Sequence, residues 1–436
     1  MSRLVCLVCF VFALLPSWGV QAQFSVIGEP NDAAATGVFD QNKVRGYALT
    51  ISSSDLNKIN SRPSAEEWVR GTLVYEGKTY ANVGVRYKGS VGGFLYPCTN
   101  QQTVGPAPGR KVGRCSIKIG FDKFVKDQRF FGLKTINLHS MGRDYSRLKE
   151  RLGYSMFREM NVAAPRTMHA TVTINGQLEG LFLAVEQIDD EFTESRFAEG
   201  GKGNLYKEVW PMYNDEQTYR NALESNKSSS AAKMVAFKRA IDSGVNGVAQ
   251  WMERDYIMRY LAVDRVIVND DGAMHWYCGS KMGNNVGGVG NHNYYWYEAL
   301  NSNREWLIPW DLDSSLTEND TDFVRVLKPW NEPTTSCGCA LSAGFSSQRA
   351  AYCDKLIAVW AGQKNGYEAA VDEFIRGPFS ATRVNAKITA WVNQLRPYIR
   401  EAGELEHSVD EATWNEYLTD LRRILNEARA NRGFWY

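Results

Sequence analysis

Apolar and polar residues alternate along much of the first half of the chain, and this two-residue period predicts β-strands. Two segments also carry hairpin turn signals, at Glu76-Gly77 and at Asn175-Gly176. Strands are predicted over residues 47–53, 71–80, 83–87, 116–121, 134–138, 170–175 and 180–186. The first half of the chain is therefore expected to consist mainly of strands.

Helical spacing takes over in other parts of the chain. Helices are predicted over residues 55–60, 146–160 and 251–268, and several more over residues 352–436. Asp144 is the predicted N-cap of the helix over residues 146–160. Two short strands are predicted at residues 294–297 and 305–309. The pattern predicts an α+β fold with a strand-rich N-terminal lobe and a mainly helical C-terminal lobe.

The N-terminus has the pattern of a secretory signal peptide, because Arg3 precedes an apolar run, residues 4–15, that is too short to span a bilayer. The alternative is an uncleaved or buried N-terminal helix. No other segment of the sequence is apolar and long enough for a membrane helix, so we expect a mature chain that is secreted, in the periplasm or outside the cell. The predicted division is a signal peptide over residues 1–22, a loosely held lead-in over 23–44, an N-terminal strand-rich lobe over 45–186 and a C-terminal mainly helical lobe over 187–436.

Cleavage of the signal peptide would remove Cys6 and Cys9 from the eight cysteines, leaving an even number. In an exported chain this favours disulfides over a metal site. Cys98 and Cys115 flank a loop rich in Gly and Pro and are expected to close it. The pairing of Cys278, Cys337, Cys339 and Cys353 stays open.

Charge and motif content exclude several classes of protein. The 50 Lys and Arg residues nearly balance the 49 Asp and Glu residues, which argues against nonspecific binding to nucleic acid or to an anionic membrane. The sequence has no Walker motif, dinucleotide fingerprint or nucleophile elbow. The five histidines lack metal-ligand spacing, although His275 and His292 lie near an acidic cluster.

Two acidic clusters follow apolar, strand-like runs and carry the strongest chemical signal. Asp270 and Asp271 follow Val-Ile-Val, and Asp311 and Asp313 follow Trp-Leu-Ile-Pro-Trp. Carboxylates at the ends of buried segments are costly unless a cation compensates them, and magnesium bound with a polyphosphate is one such cation. The insert over residues 279–291 is rich in Gly and Asn and is expected to be a mobile loop.

A kinase site needs a lysine on the phosphates, a glutamate that holds this lysine, a base, and an Asn and an Asp for the metal ion. Lys118 on a predicted strand and Glu150 on the first long helix are candidates for the first two roles. Lys118 could equally be an exposed lysine of an edge strand, Lys134 competes with it, and Glu150 fits a solvated helix face as well.

Two aspartates compete for the role of the base. Asp264 shows the Asp-x4-Asn spacing of a kinase catalytic loop with Asn269, but it lies in a predicted helix, where a buried ion pair with an Arg is an equal explanation. Asp271 is the other candidate, and Asn293 with Asp311 or Asp313 could hold magnesium.

A basic turn after a predicted strand is a candidate phosphate cradle. Arg86 and Lys88 lie in Arg-Tyr-Lys-Gly-Ser, where backbone amides and cationic side chains could bind phosphate. An ordinary hairpin end explains this segment as well.

Taken together and in order, several motifs resemble those of the spore coat protein H (CotH) kinase family. They are VGVRYKGS, CSIKIGF, FGLKTINL, DYSRLKERL, APR, TING, GLFLAVEQID, GNLYK, NDDG, HNYYWY and WLIPWDLDSS, spread over residues 45–320. The resemblance implies an atypical protein-kinase-like fold of two lobes that binds ATP and magnesium and phosphorylates protein.

The resemblance also implies a role for each matching residue. Asn269-Asp270-Asp271 matches an N-x-D element, which favours Asp271 over Asp264 as the catalytic aspartate. The residues and their implied roles are Asn293 and Asp311 at the metal ion with Asp313 as neighbour or substitute, Lys118 on the phosphates, Glu150 as its helix partner, and Glu186 with Gln187 at the interlobe hinge that meets the adenine.

We therefore expect an exported CotH-like kinase that transfers the γ-phosphate of ATP to a Ser or Thr of a protein with Mg²⁺. Two alternatives stay open, because a fold does not fix a function. One is a kinase-fold enzyme that adenylylates or glutamylates its acceptor, and the other is a noncatalytic surface or adhesion protein.

Overall fold

The computed structural model describes residues 26–89, 93–101, 109–279, 288–316, 329–341, 347–405 and 408–432. The predicted signal peptide lies outside these ranges. Within them, no helix combines the length and the apolar character that a membrane crossing requires.

Seven strands from the first half of the chain form a closed barrel in the order β1-β2-β3-β4-β5-β7-β6. They are β1 (Arg45–Ile51), β2 (Val69–Tyr75), β3 (Lys78–Tyr87), β4 (Ile117–Gly120), β5 (Thr135–His139), β6 (Thr167–Ile174) and β7 (Gln177–Glu186). Parallel pairing of β1 with β6 closes the barrel, and all other neighbours are antiparallel. The predicted strands are confirmed, but their closure into a barrel was not predicted.

Both predicted hairpin turns are confirmed by their backbone conformation. Glu76 and Gly77 have φ of 48° and 75°, and Asn175 and Gly176 have φ of 52° and 81°. Positive φ at both central residues defines the type I′ turn, whose twist matches that of the strands on either side.

The N-terminal segment is packed against the barrel, so the expectation of a loose lead-in is wrong for the described residues 26–44. Helix α1 (Ala33–Gly37) begins at Asp32, whose side chain accepts from two backbone amides. Val38 and Phe39 are buried after it, and the Tyr75 hydroxyl donates to the Gly37 carbonyl at 2.7 Å. These apolar residues were too few to show a period in the sequence. Helix α2 (Ser53–Ser61) follows β1, as predicted.

Helix α3 (Lys149–Glu159) is confirmed, although it begins later than predicted. Its N-cap position is Leu148 rather than Asp144, which is a correction of the sequence interpretation. Asp144 instead holds the turn ahead of the helix, because its carboxylate accepts from the amides of Arg147 at 3.0 Å and Lys149 at 2.8 Å.

The second half of the described chain is mainly helical, and it includes elements that the sequence pattern did not predict. The helices are α4 (Asp190–Arg196), α5 (Glu216–Asn221), α6 (Ala232–Asp242), α7 (Val245–Ala249), α8 (Arg254–Val266), α9 (Lys355–Ala361), α10 (Lys364–Arg376), α11 (Ala381–Ala402) and α12 (Glu411–Asn431). Helices α4 to α7 were missed because most of them are too short to establish a helical period.

Two small sheets complete this half. Strands β8 (Asn204–Lys207), β11 (Tyr294–Glu298) and β12 (Glu305–Pro309) form one sheet in the order β12-β11-β8. Strands β9 (Trp276–Cys278), β10 (Val289–Gly290), β13 (Ala340–Leu341) and β14 (Ser347–Arg349) form the other in the order β10-β9-β14-β13. Residues 280–287 of the predicted mobile loop lie outside the described residues.

The strand-like reading of Val-Ile-Val before Asp270 is wrong. Val266 is the last residue of α8, Ile267 is its C-cap, and Val268 has a φ of 51°. A fully buried helix end and a buried strand are both continuous apolar runs, so periodicity does not separate them. The first acidic cluster therefore follows a helix and a turn.

Three disulfides join the six cysteines of the predicted mature chain. The predicted bond between Cys98 and Cys115 is confirmed. The other two bonds are Cys278–Cys339 and Cys337–Cys353.

The buried apolar residues form two clusters that meet along β7. Phe182 and Ala184 face the barrel interior, whereas Leu181, Leu183 and Val185 belong to the cluster of α3 and the helical half. Because successive strand residues point to opposite faces, β7 packs on both sides. The outer face of the barrel thus contacts the helical half, and the site lies along this boundary.

Candidate active site

Asp271 lies in a turn after α8 and collects three side-chain partners. His292 Nε2 lies 2.6 Å from Asp271 Oδ1, and the Tyr277 hydroxyl donates to the same oxygen. Asn293 Nδ2 donates to the second carboxylate oxygen at 3.0 Å and to the Asp271 carbonyl at 2.8 Å. Burial raises the pKa of Asp271, but the hydrogen bonds and charge of its partners outweigh burial and hold the pKa below its usual value. The structure thus brings Asp271 and Asn293 into contact.

Asp264 occupies a different environment beneath this turn. Its side chain is fully buried in an ion pair with Arg265, whose NH2 lies 2.6 Å from Oδ2. Asn269 Nδ2 donates to the other oxygen at 2.8 Å. The Asp-x4-Asn spacing thus corresponds to a closed internal pair.

Antiparallel pairing of β11 and β12 explains why Asn293 and Asp311 lie at the same edge of their sheet. Tyr294 at the start of β11 is paired with Pro309 at the end of β12, so the residues just outside both strands lie at one edge. The Trp310 amide donates to the Asn293 carbonyl at 3.1 Å. Asn293 and Asp311 both have positive φ, 61° and 54°, a conformation that Asn and Asp adopt more readily than most residues.

The second acidic cluster is crowded with like charges. Asp313 lies in a short 3-10 helix, Leu312–Ser314, and burial together with the charges of Asp311 and Glu150 raises its pKa well above the usual value. The backbone of Asp311 is held by α3, because its amide donates to the Tyr154 hydroxyl at 2.9 Å.

Cationic side chains project from the outer face of the barrel. Arg86 on β3 is directly paired with Lys118 on β4, so both side chains point to the same face. Burial, with the charges of Lys88 and Arg86, lowers the pKa of Lys118 to about 8. Arg86 NH1 is bound by Glu66 at 2.6 Å.

Lys207, at the end of β8, also acts electrostatically on both Lys88 and Lys118. Lys207 was not predicted to be a site residue. The sequence did contain a feature that could have identified it, because Lys207 is the last residue of the GNLYK motif that contributes to the family resemblance.

Lys88 and Glu150 are connected through a histidine. Lys88 Nζ lies 2.8 Å from His139 Nε2, and His139 Nδ1 lies 2.9 Å from Glu150 Oε1. In the described part of the chain, no hydrogen bond or ion pair joins Glu150 to Lys118, its predicted partner. Burial raises the pKa of Glu150 and lowers those of Lys88 and His139.

The Glu186 side chain is engaged inside the protein. Arg166 and Arg196 both form ion pairs with its carboxylate, with Arg166 NH2 at 2.6 Å. The Glu186 amide donates to the Arg166 carbonyl at 3.0 Å, and Gln187 accepts from Asn137 Nδ2 at 3.1 Å. A hinge role at Glu186 and Gln187 stays a prediction, and it would use the backbone.

Comparisons with known proteins place the chain among kinases. Residues 85–431 match the family model described as CotH kinase protein. Inner spore coat protein H of Bacillus subtilis (strain 168) is 18% identical over 294 residues, which covers 63% of this chain and 72% of that protein. The Helicobacter pylori proinflammatory kinase CtkA aligns over 78% of this chain and 97% of its own, at 11% identity and a TM-score of 0.28, which is too low to establish a common fold.

The family match extends from the third barrel strand to the last helix and includes all the site residues described above except Glu66. It supports a kinase-type function. The chain belongs to the CotH kinase family.

Proposed function

We propose that this protein is an exported kinase that uses Mg²⁺ and transfers the γ-phosphate of ATP to a Ser or Thr hydroxyl of a protein. The observation that carries the proposal is a group of lysines within electrostatic reach of a group of carboxylates. Lys88 and Lys207 both act on Lys118, and Asp311 and Asp271 both act on Asp313. Lys88 connects the two groups, because Asp311 is the largest charge influence on it. Phosphoryl transfer requires such positive groups on the phosphates and acidic groups at the metal ion and the acceptor.

Lys118 supports the binding of a polyphosphate. In the described residues this largely buried ammonium group forms no hydrogen bond or ion pair with a carboxylate. The largest charge influences on its pKa are the cations Lys88 and Arg86, ahead of the opposing carboxylate Glu224. Burial of an uncompensated charge is costly, so an anionic ligand would relieve the cost. The triphosphate of ATP supplies this charge, with Lys88 and Lys207 beside Lys118.

Asp271 is the proposed group at the acceptor hydroxyl. Its carboxylate is a quarter exposed and is oriented by His292 and Asn293. A carboxylate fixed in this way can accept a hydrogen bond from the Ser or Thr hydroxyl and orient its oxygen toward the γ-phosphate. The low pKa of Asp271 keeps it ionised for this role.

The residues present fit a magnesium ion. Asn293, Asp311 and Asp313 offer only oxygen ligands, since the amide nitrogen of Asn293 is already used on Asp271. Burial, followed by the charges of Asp311 and Glu150, raises the pKa of Asp313, and a cation at this position would favour its ionised form. When bound, magnesium would neutralise charge on the β- and γ-phosphates.

Export is supported by the covalent structure. Three disulfides join six cysteines, and disulfides persist mainly in oxidising compartments such as the periplasm or the extracellular space.

The test is incubation of the mature protein with Mg²⁺ and ATP labelled at either the γ- or the α-phosphate, with a casein-like acceptor. We expect label from γ-labelled ATP on serine or threonine and none from α-labelled ATP. Asp271→Asn should abolish labelling, whereas Asp270→Asn, a change at the adjacent and partly exposed carboxylate, should retain it.

Transfer of the α-label would instead indicate adenylylation. Absence of label with wild type, or equal labelling by wild type and Asp271→Asn, would contradict the proposed phosphoryl transfer.

A further inference from the structure

His139 connects a lysine of the barrel to a glutamate of the first long helix. In protein kinases, the strand lysine and the helix glutamate form a direct ion pair. Here the imidazole lies between them, 2.8 Å from Lys88 Nζ and 2.9 Å from Glu150 Oε1. We propose that His139 is a positioning residue that replaces the direct lysine–glutamate pair and holds the Lys88 ammonium toward the phosphates of the nucleotide. This inference rests on the proposed function.

The sheet register explains how the contact forms. The Lys88 amide donates to the Ser116 carbonyl at 2.9 Å, so Lys88 lies beside Ser116 just outside β4. Since Ile117 is paired with Leu138, the next step of the register sets Ser116 beside His139. The small side chain of Ser116 lets the long Lys88 side chain cross β4 and reach the imidazole.

The hydrogen-bond chemistry fixes the tautomer of His139. An ammonium group only donates, so Nε2 must be the accepting nitrogen and the proton must lie on Nδ1. Nδ1–H then donates to the Glu150 carboxylate, whose two oxygens lie 2.9 and 3.0 Å away. Both ring nitrogens then form hydrogen bonds, so the imidazole fixes the position of the Lys88 ammonium group relative to Glu150 on α3.

The same histidine contacts the segment of the second acidic cluster. The Trp310 ring meets His139 edge to face with centroids 5.7 Å apart, and Lys88 Nζ lies 5.5 Å from the Trp310 centroid. Trp310 directly precedes Asp311. His139 is therefore in contact with Lys88 just after β3, with Glu150 on α3 and with the acidic segment, so its loss should displace Lys88 relative to the proposed metal ligands.

His139, Glu150 and Asp311 have the donor atoms of a metal site, all within 4.8 Å of one another. Lys88 Nζ already lies against His139 Nε2 at hydrogen-bond distance. The Lys88 ammonium group thus occupies the place that a metal ion would take beside His139, which favours a positioning role for His139 over metal ligation.

The experiment compares His139→Gln with His139→Leu. A glutamine amide can accept from Lys88 through its oxygen and donate to Glu150 through its nitrogen, whereas leucine can do neither. Loss of a hydrogen bond to a charged group corresponds to roughly tenfold or more in binding. We expect His139→Leu to raise KM for ATP roughly tenfold or more while the KM for the acceptor stays within a factor of about two, and His139→Gln to restore most of the ATP affinity.

His169→Leu is the matched control. His169 is also buried and also has two partners, Arg151 NH1 at 3.0 Å and the Arg147 carbonyl at 2.7 Å, but it is not part of the site. It should lower the melting temperature without a selective rise in KM for ATP. A rise in His169→Leu equal to that in His139→Leu, or no rise in His139→Leu, would overturn the inference.

NMR of ¹⁵N-histidine-labelled protein tests the link without catalysis. The proton is expected on Nδ1 of His139, and Lys88→Met should shift the Nε2 resonance of His139 while leaving that of His169 in place. A proton on Nε2 overturns the inference, and so does an Nε2 resonance that ignores Lys88→Met. If the tautomer and the shift are as expected but wild type fails to bind ATP, the proposed kinase function is wrong and the structural link stands.

Discussion

The protein contains two aspartate–asparagine pairs close together in sequence, and they differ in what compensates the carboxylate. The inner pair, Asp264 and Asn269, is fully buried and includes a permanent cation, Arg265, in a salt bridge. In the outer pair, Asp271 and Asn293, the Asp271 carboxylate is a quarter exposed, and its side-chain partners among the described residues are Tyr277, His292 and Asn293. A carboxylate that is buried with a permanently charged partner stabilises the fold and is not accessible to a substrate. The outer carboxylate, in contrast, can replace one of its hydrogen-bond partners by a substrate hydroxyl.

Gly272 shows how the two pairs are connected. A Cβ at this position would lie 2.2 Å from Asn269 Nδ2 and 3.2 Å from Asp264 Oδ1. The turn that carries Asp271 therefore rests directly on the inner pair. The inner pair supports the geometry of the outer one, which is why both share a short stretch of sequence.

Asp271→Asn should give the largest effect. Asparagine keeps the shape but cannot accept the acceptor proton, so we expect kcat to fall by about 10²–10⁴-fold, with a smaller loss of stability than in Asp264→Asn. Steady-state phosphorylation and thermal unfolding measure the two quantities. An unchanged kcat would show that Asp271 does not act at the acceptor hydroxyl. The outer pair would then have no functional role that distinguishes it from the inner pair.

Asp264→Asn should reverse this pattern. Removal of the charge leaves the buried Arg265 guanidinium without its carboxylate, which costs about 3–5 kcal/mol of unfolding free energy. Denaturant unfolding measures the loss, and the activity of the remaining folded fraction should fall far less than in Asp271→Asn. A stable but inactive Asp264→Asn protein would show that the inner aspartate acts in catalysis.

The sequence predicted those features of the site that depend on local pairing. The strands around Asn293 and Asp311 were predicted, and their antiparallel pairing brings both residues to one edge. Turn residues predicted both barrel hairpins, because Asn175, Gly176 and Gly77 favour positive φ, and Glu76 adopts it beside Gly77.

Contacts between distant strands could not be predicted. The chain from Lys88 through His139 to Glu150 depends on the order β3-β4-β5 and on which face each side chain occupies. The Arg166 and Arg196 partners of Glu186 likewise come from other elements. A one-residue change of register would reverse every face, and the sequence alone does not fix that register across the barrel.

The Cys278–Cys339 disulfide is expected to influence the outer aspartate–asparagine pair more than the inner pair. Cys278 follows Tyr277, which donates to Asp271, and the loop that the bond closes contains Asn293 and Asp311. Cys278→Ser with Cys339→Ser should lower unfolding free energy by about 2–4 kcal/mol and lower activity several-fold. Melting curves and initial rates measure both.

The matched control for this change is the pair Cys98→Ser and Cys115→Ser, which opens the bond at the barrel loop. It should lower stability while activity at a temperature well below melting changes less. Equal losses of activity in both double variants would show that the Cys278–Cys339 bond has no particular influence on the outer pair.

The smallest expected effect is a pH dependence from Lys118. Its pKa of about 8 means that its positive charge is lost as pH rises through about 8, so kcat/KM for ATP should fall there by less than the tenfold per pH unit that one essential group would give. Stability should move the other way. An unfolded lysine has a pKa of about 10.4 and keeps its proton between about pH 8 and pH 10, so the unfolded state binds more protons and stability rises with pH in this window.

Lys118→Met should remove both trends, whereas Asp264→Asn should keep them, since Asp264 is paired with Arg265 and is not among the charges that shift the pKa of Lys118. Rate profiles and unfolding curves from pH 7 to 10 provide the measurement. Superimposable profiles for wild type and Lys118→Met would mean that Lys118 does not face the phosphates. The phosphate-binding cation would then be Lys88 or Lys207, both of which act electrostatically on Lys118.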